Sequence, residues 1–254
     1  MKLLQWNIWY KENIKNVLEL IREINPDIIT LQELTINSWR QAIVNQNCNE
    51  THDTAKYIAD ELGFNYYFKE GQAEKVDGVE QILGNAIFSR YPIVKQNFSY
   101  IQEPLDTSLP ILDYSLEGRV YLEVTLDVEG KELTVGTTHM SYTHRFLPTP
   151  AKDAETNKLL EILKEKKSNY IFAADFNSLP DSRVITETQR ILKNAGPALT
   201  ENTWTTKPFS YNGFDANTLD WRLDYCFATP DVLVTSAKVI ETDYSDHLPI
   251  LIEI

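Results

Sequence analysis

Three short polar motifs, Asp175-Phe176-Asn177, Arg222-Leu223-Asp224-Tyr225 and Ser245-Asp246-His247, stand at or just beyond apolar, strand-like runs, far apart in the chain and each with a carboxylate. A buried charge without a partner is costly, so carboxylates at buried strand ends imply something to neutralise them. A shared metal ion is the natural explanation. Asn7, Glu33, Asn85 and His139 interrupt other strand-like runs in the same way. Carboxylate and amide oxygens are the hard ligands Mg²⁺ prefers, and Mg²⁺ usually takes one or two carboxylates while keeping water for a substrate phosphate to displace. Glu33 and Asn7 suit that role. His139, Asp224 and His247 suit proton transfer or stabilisation of a developing charge, because imidazole titrates near neutrality and a partner carboxylate fixes its tautomer.

The elements that must carry these residues can be read from hydrophobic periodicity. Residues 2 to 9 read as a strand, and Ile14, Val17, Leu18, Ile21 and Ile24 follow at helical spacing until Pro26. Asp27 to Gln32 is a second strand ending at Glu33, which gives a strand, helix, strand opening. Asn45 to Glu50 reads as a polar loop, Ala55 to Leu62 as a short helix closed by Gly63, and Phe64 to Phe68 as a strand. Glu70 to Gln81 reads as a charged loop bordering a site. The middle of the chain is mostly β, with Asn85 to Ser89, Ile93 to Ile101, Arg119 to Val128 and Glu132 to His139, and a tight turn at Glu129-Gly130. A helix carrying Leu159, Leu160, Ile162 and Leu163 ends in the basic run Lys164 to Lys167, and a strand from Tyr170 stops at Asp175. A helix spans Val184 to Leu192, a loop Thr200 to Leu219, and strands Leu223 to Ala228, Val232 to Ile240 and Leu248 to Ile254. Strands in this number with few helices predict two packed sheets covered by helices on the outside.

Composition narrows the class. The chain has 254 residues, 43% of them hydrophobic, enough for one large domain, and no linker marks a boundary within 1–254. With 24 Lys and Arg against 37 Asp and Glu, the formal charge is -13, which disfavours non-specific binding to a polyanion unless a local basic groove or bound cations offset it. Cys48 and Cys226 make no disulfide framework and no zinc spacing, and Cys226 reads as a buried thiol. The start Lys2-Leu3-Leu4-Gln5-Trp6-Asn7-Ile8 is no signal peptide, and no apolar run spans a bilayer, so the chain is expected to be soluble, cytoplasmic and monomeric. A leader removed before residue 1 stays an open alternative.

Taken singly, each motif has an ordinary explanation. Asn7 and Asn85 suit turns, Glu33 a cap, and Asp175 to Asn177 an Asx-turn near Pro180. Arg222 is the simple partner for Asp224, Asp246-His247 a turn before the last strand, and His139 a core histidine. His52 and His144 read as surface residues, while Trp9, Trp39, Trp204 and Trp221 read as packing residues, the last two in a loop able to flank a substrate. Only joint occurrence raises the site above these readings.

Trp6-Asn7-Ile8, Leu31-Gln32-Glu33, Gly84 to Arg90, Thr138-His139-Met140, Ala174 to Asn177, Arg222 to Tyr225 and Ser245 to His247 occur in the order and rough spacing of the endonuclease/exonuclease/phosphatase superfamily, which the chain resembles from residue 6 to residue 247. The resemblance implies a four-layered α/β/β/α sandwich of two mixed sheets and Mg²⁺- or Mn²⁺-dependent cleavage of a phosphate ester. Carried over by motif, Glu33 would ligate the metal with Asn7 beside it, and Asp246 would be a metal ligand or lie just behind one. Asp175 would orient or deprotonate the attacking water, Asn177 and His139 would hold phosphoryl oxygens, and Asp224 would pair with His247, which would contact the phosphate or act as base.

Departures from the motifs narrow the substrate. Trp9 stands where abasic-site nucleases commonly carry Asp, and Asp220-Trp221-Arg222-Leu223-Asp224 differs from the pattern of inositol polyphosphate 5-phosphatases. Ala174 replaces the usual Gly, and His139 resembles the DNase I and sphingomyelinase side. The expected activity is a phosphodiesterase, nuclease or sphingomyelinase-like, with a nucleic acid or phospholipid headgroup as possible substrate. The alternative is an inactive module binding a phosphate ligand or a protein, which should have lost a core carboxylate or His247; neither is missing.

Overall fold

The computed structural model describes residues 1–37, 53–76, 78–105, 113 and 115–254. The expectations for Trp39, Cys48, His52 and the loop at 45–50 lie outside the described residues. Two six-stranded sheets face each other. The first contains β1 (Lys2–Asn7), β2 (Ile28–Ile36), β3 (Asn65–Val76), β4 (Val79–Ser89), β13 (Ser236–Val239) and β14 (Ile250–Glu253), in the order β13-β14-β1-β2-β4-β3. The second contains β5 (Ile93–Gln102), β6 (Arg119–Val128), β7 (Lys131–Thr138), β8 (Tyr170–Asp175), β9 (Lys193–Asn194) and β12 (Asp224–Ala228), in the order β5-β6-β7-β8-β12-β9. Both sheets are mixed: β1 runs parallel to β2 and β7 parallel to β8, while the other ladders are antiparallel.

Helices cover the outer faces. On the first sheet lie α1 (Ile14–Ile24) and α2 (Thr54–Leu62), which pack Val17, Leu18, Ile21 and Ile58 against Leu4, Trp6, Ile29 and Leu31. On the second lie α3 (Pro150–Lys164) and α4 (Arg183–Ile191), whose Leu159, Leu163, Val184 and Ile185 meet Phe172, Ala174, Tyr225 and Phe227. The four-layered α/β sandwich is therefore as expected. Caps explain where the first helices begin and end: Asn13 and Asp53 accept from Lys15 N and Lys56 N, and Asn25 and Gly63 close the C-termini in the left-handed region.

The inner faces explain why polar motifs converge. Side chains alternate along a strand, so Leu3, Gln5 and Asn7 share one face of β1, as do Ile171, Ala173 and Asp175 on β8 and Asp224, Cys226 and Ala228 on β12. Leu3, Ile28, Ile171, Ala173, Cys226 and Ala228 all lie in the core between the sheets. Moving along these faces, the apolar layer gives way to a buried polar one in which Gln5 Nε2 donates to Gln32 Oε1 (2.5 Å) and Thr30 Oγ1 and Gln32 Nε2 donate to Gln5 Oε1 (2.7 and 3.0 Å). Beyond that layer the strands end at Asn7, Asp175 and Asp224, the last two directly paired in register.

One expected loop is largely strand, and a second holds a short hairpin. Glu70 to Gln81 continues β3 into β4 as a long hairpin; β3 is the sheet edge, where one flank needs no partner strand and the hydrophobic alternation is weak. Within Thr200 to Leu219, β10 (Phe209–Tyr211) and β11 (Phe214–Ala216) form a separate hairpin, too short for periodicity to show. The strand expected to end at Glu33 runs to Ile36, and the strand expected over Val232 to Ile240 shrinks to β13.

Candidate active site

A cleft of about 260 Å³ opens where the charged strand ends meet, and Asn7, Glu33, His139, Asp175, Asn177, Asp246 and His247 all line it. Asp224 stands directly behind His247. Asn85 is the outlier: it is buried on β4, donates to Val120 O (3.3 Å), and lines a separate small cavity.

Local backbone devices aim several of these groups. The β2–β4 register slips between Leu31 and Leu34, and at that bulge Glu33 takes φ 62, turning its carboxylate into the cleft. Trp9 and Asn177 also adopt left-handed φ values, 55 and 45. Such conformations cost of order 1–3 kcal/mol each in non-glycine residues and persist where surrounding contacts impose them. The two Glu33 oxygens accept from Asn7 Nδ2 (3.1 Å) and Tyr10 N (3.1 Å). Asn7 also donates to Asp175 Oδ2 (3.0 Å), while its own oxygen accepts from Trp9 N (3.0 Å), so its amide ties the two acids together.

Asp175, at the end of β8, is central. Its Oδ1 accepts from Asn177 N (2.8 Å), the Asx-turn expected from the sequence, and this turn lies on the cleft. Its Oδ2 lies 3.4 Å from His139 Nε2 and 3.7 Å from His247 Nε2. Asn177 Nδ2 donates to His139 Nε2 (3.0 Å) and Met140 O (3.0 Å). His247 Nδ1 bonds Asp224 Oδ2 at 2.8 Å. Ligand atoms of Asp175, Asp224 and His247 lie within 4.8 Å of one another. The partner expected of Arg222 is corrected: its Nε donates to the Asp224 backbone oxygen, leaving the carboxylate for His247.

Crowding of acids shows in their protonation. Burial, reinforced by the charge of Asp224, pushes the Asp175 carboxyl up to about 6. Burial and the charge of Glu33 do the same to Asp246, up to about 6. Glu33 is raised by burial, partly offset by its bonds from Asn7 and Tyr10. Among the described residues, no Lys or Arg pairs with Glu33 or Asp246. Carboxylates that face one cleft without a Lys or Arg partner are a donor set that a hard divalent ion fits.

Several cleft residues were not singled out from the sequence. Arg119 opens β6, is 5% exposed and pairs with Glu117 at 2.9 Å. The peptide before it is held by glycine, since a Cβ at Gly118 would run into Gly71 O and the Pro104 backbone. A Lys or Arg at the start of a strand carries no distinctive pattern. Tyr142, Phe209 and Tyr211 form one wall, with ring centroids 5.8 and 5.9 Å from Tyr142. Trp204 is a packing residue as expected, yet its Nε1 also donates to Asp246 Oδ2 (3.2 Å). His144 is exposed and Cys226 is buried, its thiol pushed up to about 12 by burial. Among the described residues, no helix is long and apolar enough to cross a membrane.

The model of the endonuclease/exonuclease/phosphatase family matches residues 4–247. Among curated proteins, none matches the sequence. Solved structures with the same fold include a family protein from Leptotrichia buccalis C-1013-b (20% identity, TM-score 0.68, covering 100% of this chain and 98% of that one). They also include the Bacteroides thetaiotaomicron VPI-5482 mannosyl-6-phosphatase Bt3783 (16%, TM-score 0.68, 100% and 98%). A third is D. rerio TDP2 complexed with single strand DNA product (16%, TM-score 0.67, 99% and 97%). On the match over nearly its whole length, the chain belongs to the endonuclease/exonuclease/phosphatase family.

Proposed function

We propose that this protein is a divalent-metal-dependent phosphohydrolase, acting on phosphodiesters in preference to monoesters. One observation carries the reading: Glu33 and Asp246 face a common cleft with no Lys or Arg partner among the described residues, beside a histidine whose neighbours favour its cationic form. Glu33 and Asp246 would hold Mg²⁺ or Mn²⁺ with Asn7 beside them, and the ion would supply Lewis-acid neutralisation of a phosphoryl oxygen.

The chain's own groups account for the remaining steps. Asp175 orients the attacking water and accepts its proton; raised only to about 6, it stays mostly ionised at neutral pH. Burial alone would lower His247, but the charges of Asp224, Asp175 and Asp246 hold it well above the ordinary histidine range. A cationic His247 at that place stabilises negative charge as it develops on the phosphoryl oxygens. Burial and the nearby Arg119 charge hold His139 well below its usual range, so it is neutral and accepts from Asn177, whose amide would turn from His139 to a phosphoryl oxygen when substrate binds.

The cleft is small and the molecule acidic, which supports a small ester or a strand end over a duplex lying along the surface. The reading comes with one domain over residues 1–254 and a cytoplasmic monomer. The retained acids and His247 argue against an inactive binding module. The test is hydrolysis of bis(4-nitrophenyl) phosphate and of 4-nitrophenyl phosphate with Mg²⁺, Mn²⁺ or EDTA, followed by single-stranded DNA, plasmid, RNA, sphingomyelin, phosphoinositides and a hexose 6-phosphate. Turnover of the diester that needs the metal and vanishes in Asp175→Ala supports the reading; turnover persisting in EDTA overturns it.

A further inference from the structure

Behind the cleft, the first turn of α3 carries a buried cation with no part in the chemistry above. Lys152 is 7% exposed, and its Nζ donates to Ser141 O (2.7 Å) and to Phe176 O (2.7 Å). Ser141 lies two residues after His139, and Phe176 lies between Asp175 and Asn177. These two loops otherwise meet through Met140 N donating to Asp175 O (3.0 Å) and through the Asn177 amide. Glu155, one turn further along the helix and 1% exposed, accepts from Ser141 N (3.0 Å), so the helix grips Ser141 at both its donor and its acceptor. A buried lysine is a costly way to join two carbonyls, because an ammonium loses its hydration and a neutral donor would make the same bonds.

We propose that Lys152 is a positioning residue of this site: its ammonium clips the loop after β7 to the loop after β8 and so sets the spacing of His139 against Asp175 and Asn177. The proposal rests on reading the cleft as a phosphohydrolase site. The charges facing Lys152 are Glu155 on its own helix, Asp175 on β8, and Arg119 on β6, while the same lysine faces His139 beyond β7. Burial does most to keep His139 neutral, and the charges of Arg119, His247 and Lys152 act in the same direction, so the ring accepts from Asn177.

The test compares Lys152→Met, Lys152→Arg and Glu155→Gln with Lys158→Met, an exposed position on the same helix. At a temperature where circular dichroism shows each variant folded, Lys152→Met is expected to lower kcat by roughly 10- to 100-fold, the scale of a small misplacement of reacting groups. KM and Mg²⁺ affinity should stay within about twofold, because Glu33 and Asp246 lie on other elements. Lys152→Arg should recover part of the loss and Lys158→Met should show none. A folded Lys152→Met with unchanged kcat overturns the proposal, as does an equal loss in Lys158→Met. If Lys152→Met does not fold, Glu155→Gln carries the comparison. Should the wild type hydrolyse no phosphate ester, the functional reading fails, and the positioning claim is read from the His139 ring resonances instead. They should shift in Lys152→Met while those of His247 stay; an unmoved His139 overturns it.

Discussion

His139 and His247 face the same cleft, and burial pushes both toward the neutral form, yet their neighbours drive them to opposite states. His247 sits among Asp224, Asp175 and Asp246, with Asp224 bonded to its Nδ1 at 2.8 Å, and is held as a cation. His139 has the Asn177 amide against its Nε2 and feels the positive charges of Arg119, His247 and Lys152, and it is held neutral. Desolvation sets only a starting point, and the sign of the surrounding charge decides the outcome. Under the proposed function, a cation and a neutral ring on one cleft would divide the work: one would oppose developing negative charge and the other would orient by hydrogen bonding.

The largest expected effect breaks the cationic side. His247→Ala and Asp175→Ala should each lower kcat/KM for a diester by on the order of 10³-fold or more, measured at saturating Mg²⁺, because each removes a group whose interaction strengthens in the transition state. His139→Ala should cost less, roughly 10²-fold, since its orienting bond exists before reaction. Equal losses at the two histidines would show that they do not divide the task as proposed.

Asp224→Asn sharpens the same contrast. It keeps the shape and one hydrogen-bonding atom but removes the negative charge behind His247, so the imidazole loses its main support for the cationic form. Turnover should fall by about 10²-fold, and the His247 ring resonances should titrate at lower pH than in the wild type, while His139, relieved of part of the His247 charge, should move the other way and by less. A His247 titration unchanged by this substitution would mean that Asp224 is not what holds the proton.

Much of this was legible in the sequence, for a physical reason. A strand alternates its faces, so Asp224-Tyr225-Cys226-Phe227-Ala228 already declares that Asp224 shares a side with Cys226 and Ala228, whose burial between sheets leaves the acid needing a partner. From spacing alone its partner was not legible: Arg222, two residues away, was the simple choice, and only the family resemblance pointed to His247, which stands just before β14. The bulge that aims Glu33 also left no mark, because it depends on the register of β2 against β4 rather than on local composition. Lys152 and Arg119 were missed for the opposite reason. Basic residues in a helix's first turn or at a strand start are ordinarily solvated, and only the packed fold shows these two to be buried. The aromatic hairpin of β10 and β11 contributes three residues per strand, fewer than any periodicity needs.

A smaller loss is expected on the neutral side from Asn177→Ala. It removes the donor to His139 Nε2 and to Met140 O, so kcat should fall roughly tenfold with little change in Mg²⁺ affinity. Nitrogen-15 shifts of the His139 ring check the cause, since a ring freed from the Asn177 donor should exchange between its tautomers. A ring still fixed in one tautomer would assign the orienting role to another contact.

The finest test of the contrast is the sign of the pH dependence of stability, read from urea midpoints in EDTA at about pH 5 and about pH 8. His139 is depressed in the folded state, so below its ordinary value the unfolded chain takes up a proton that the folded chain refuses, and the wild type loses stability as pH falls. His139→Asn removes that loss, and its stability relative to wild type should improve on acidification. His247 is raised, so its stabilisation is fully present below the unfolded value and disappears as pH rises through the folded one. His247→Asn should therefore fall further behind wild type on acidification. The His247 charge lowers Asp175 and Asp246, so its loss lets both acids rise and flattens the His247→Asn curve; Asp224, the largest support of the cation, keeps that slope opposite in sign to the slope of His139→Asn. Parallel difference curves would mean that the two rings share one protonation state, and the division of labour between them would have to be abandoned.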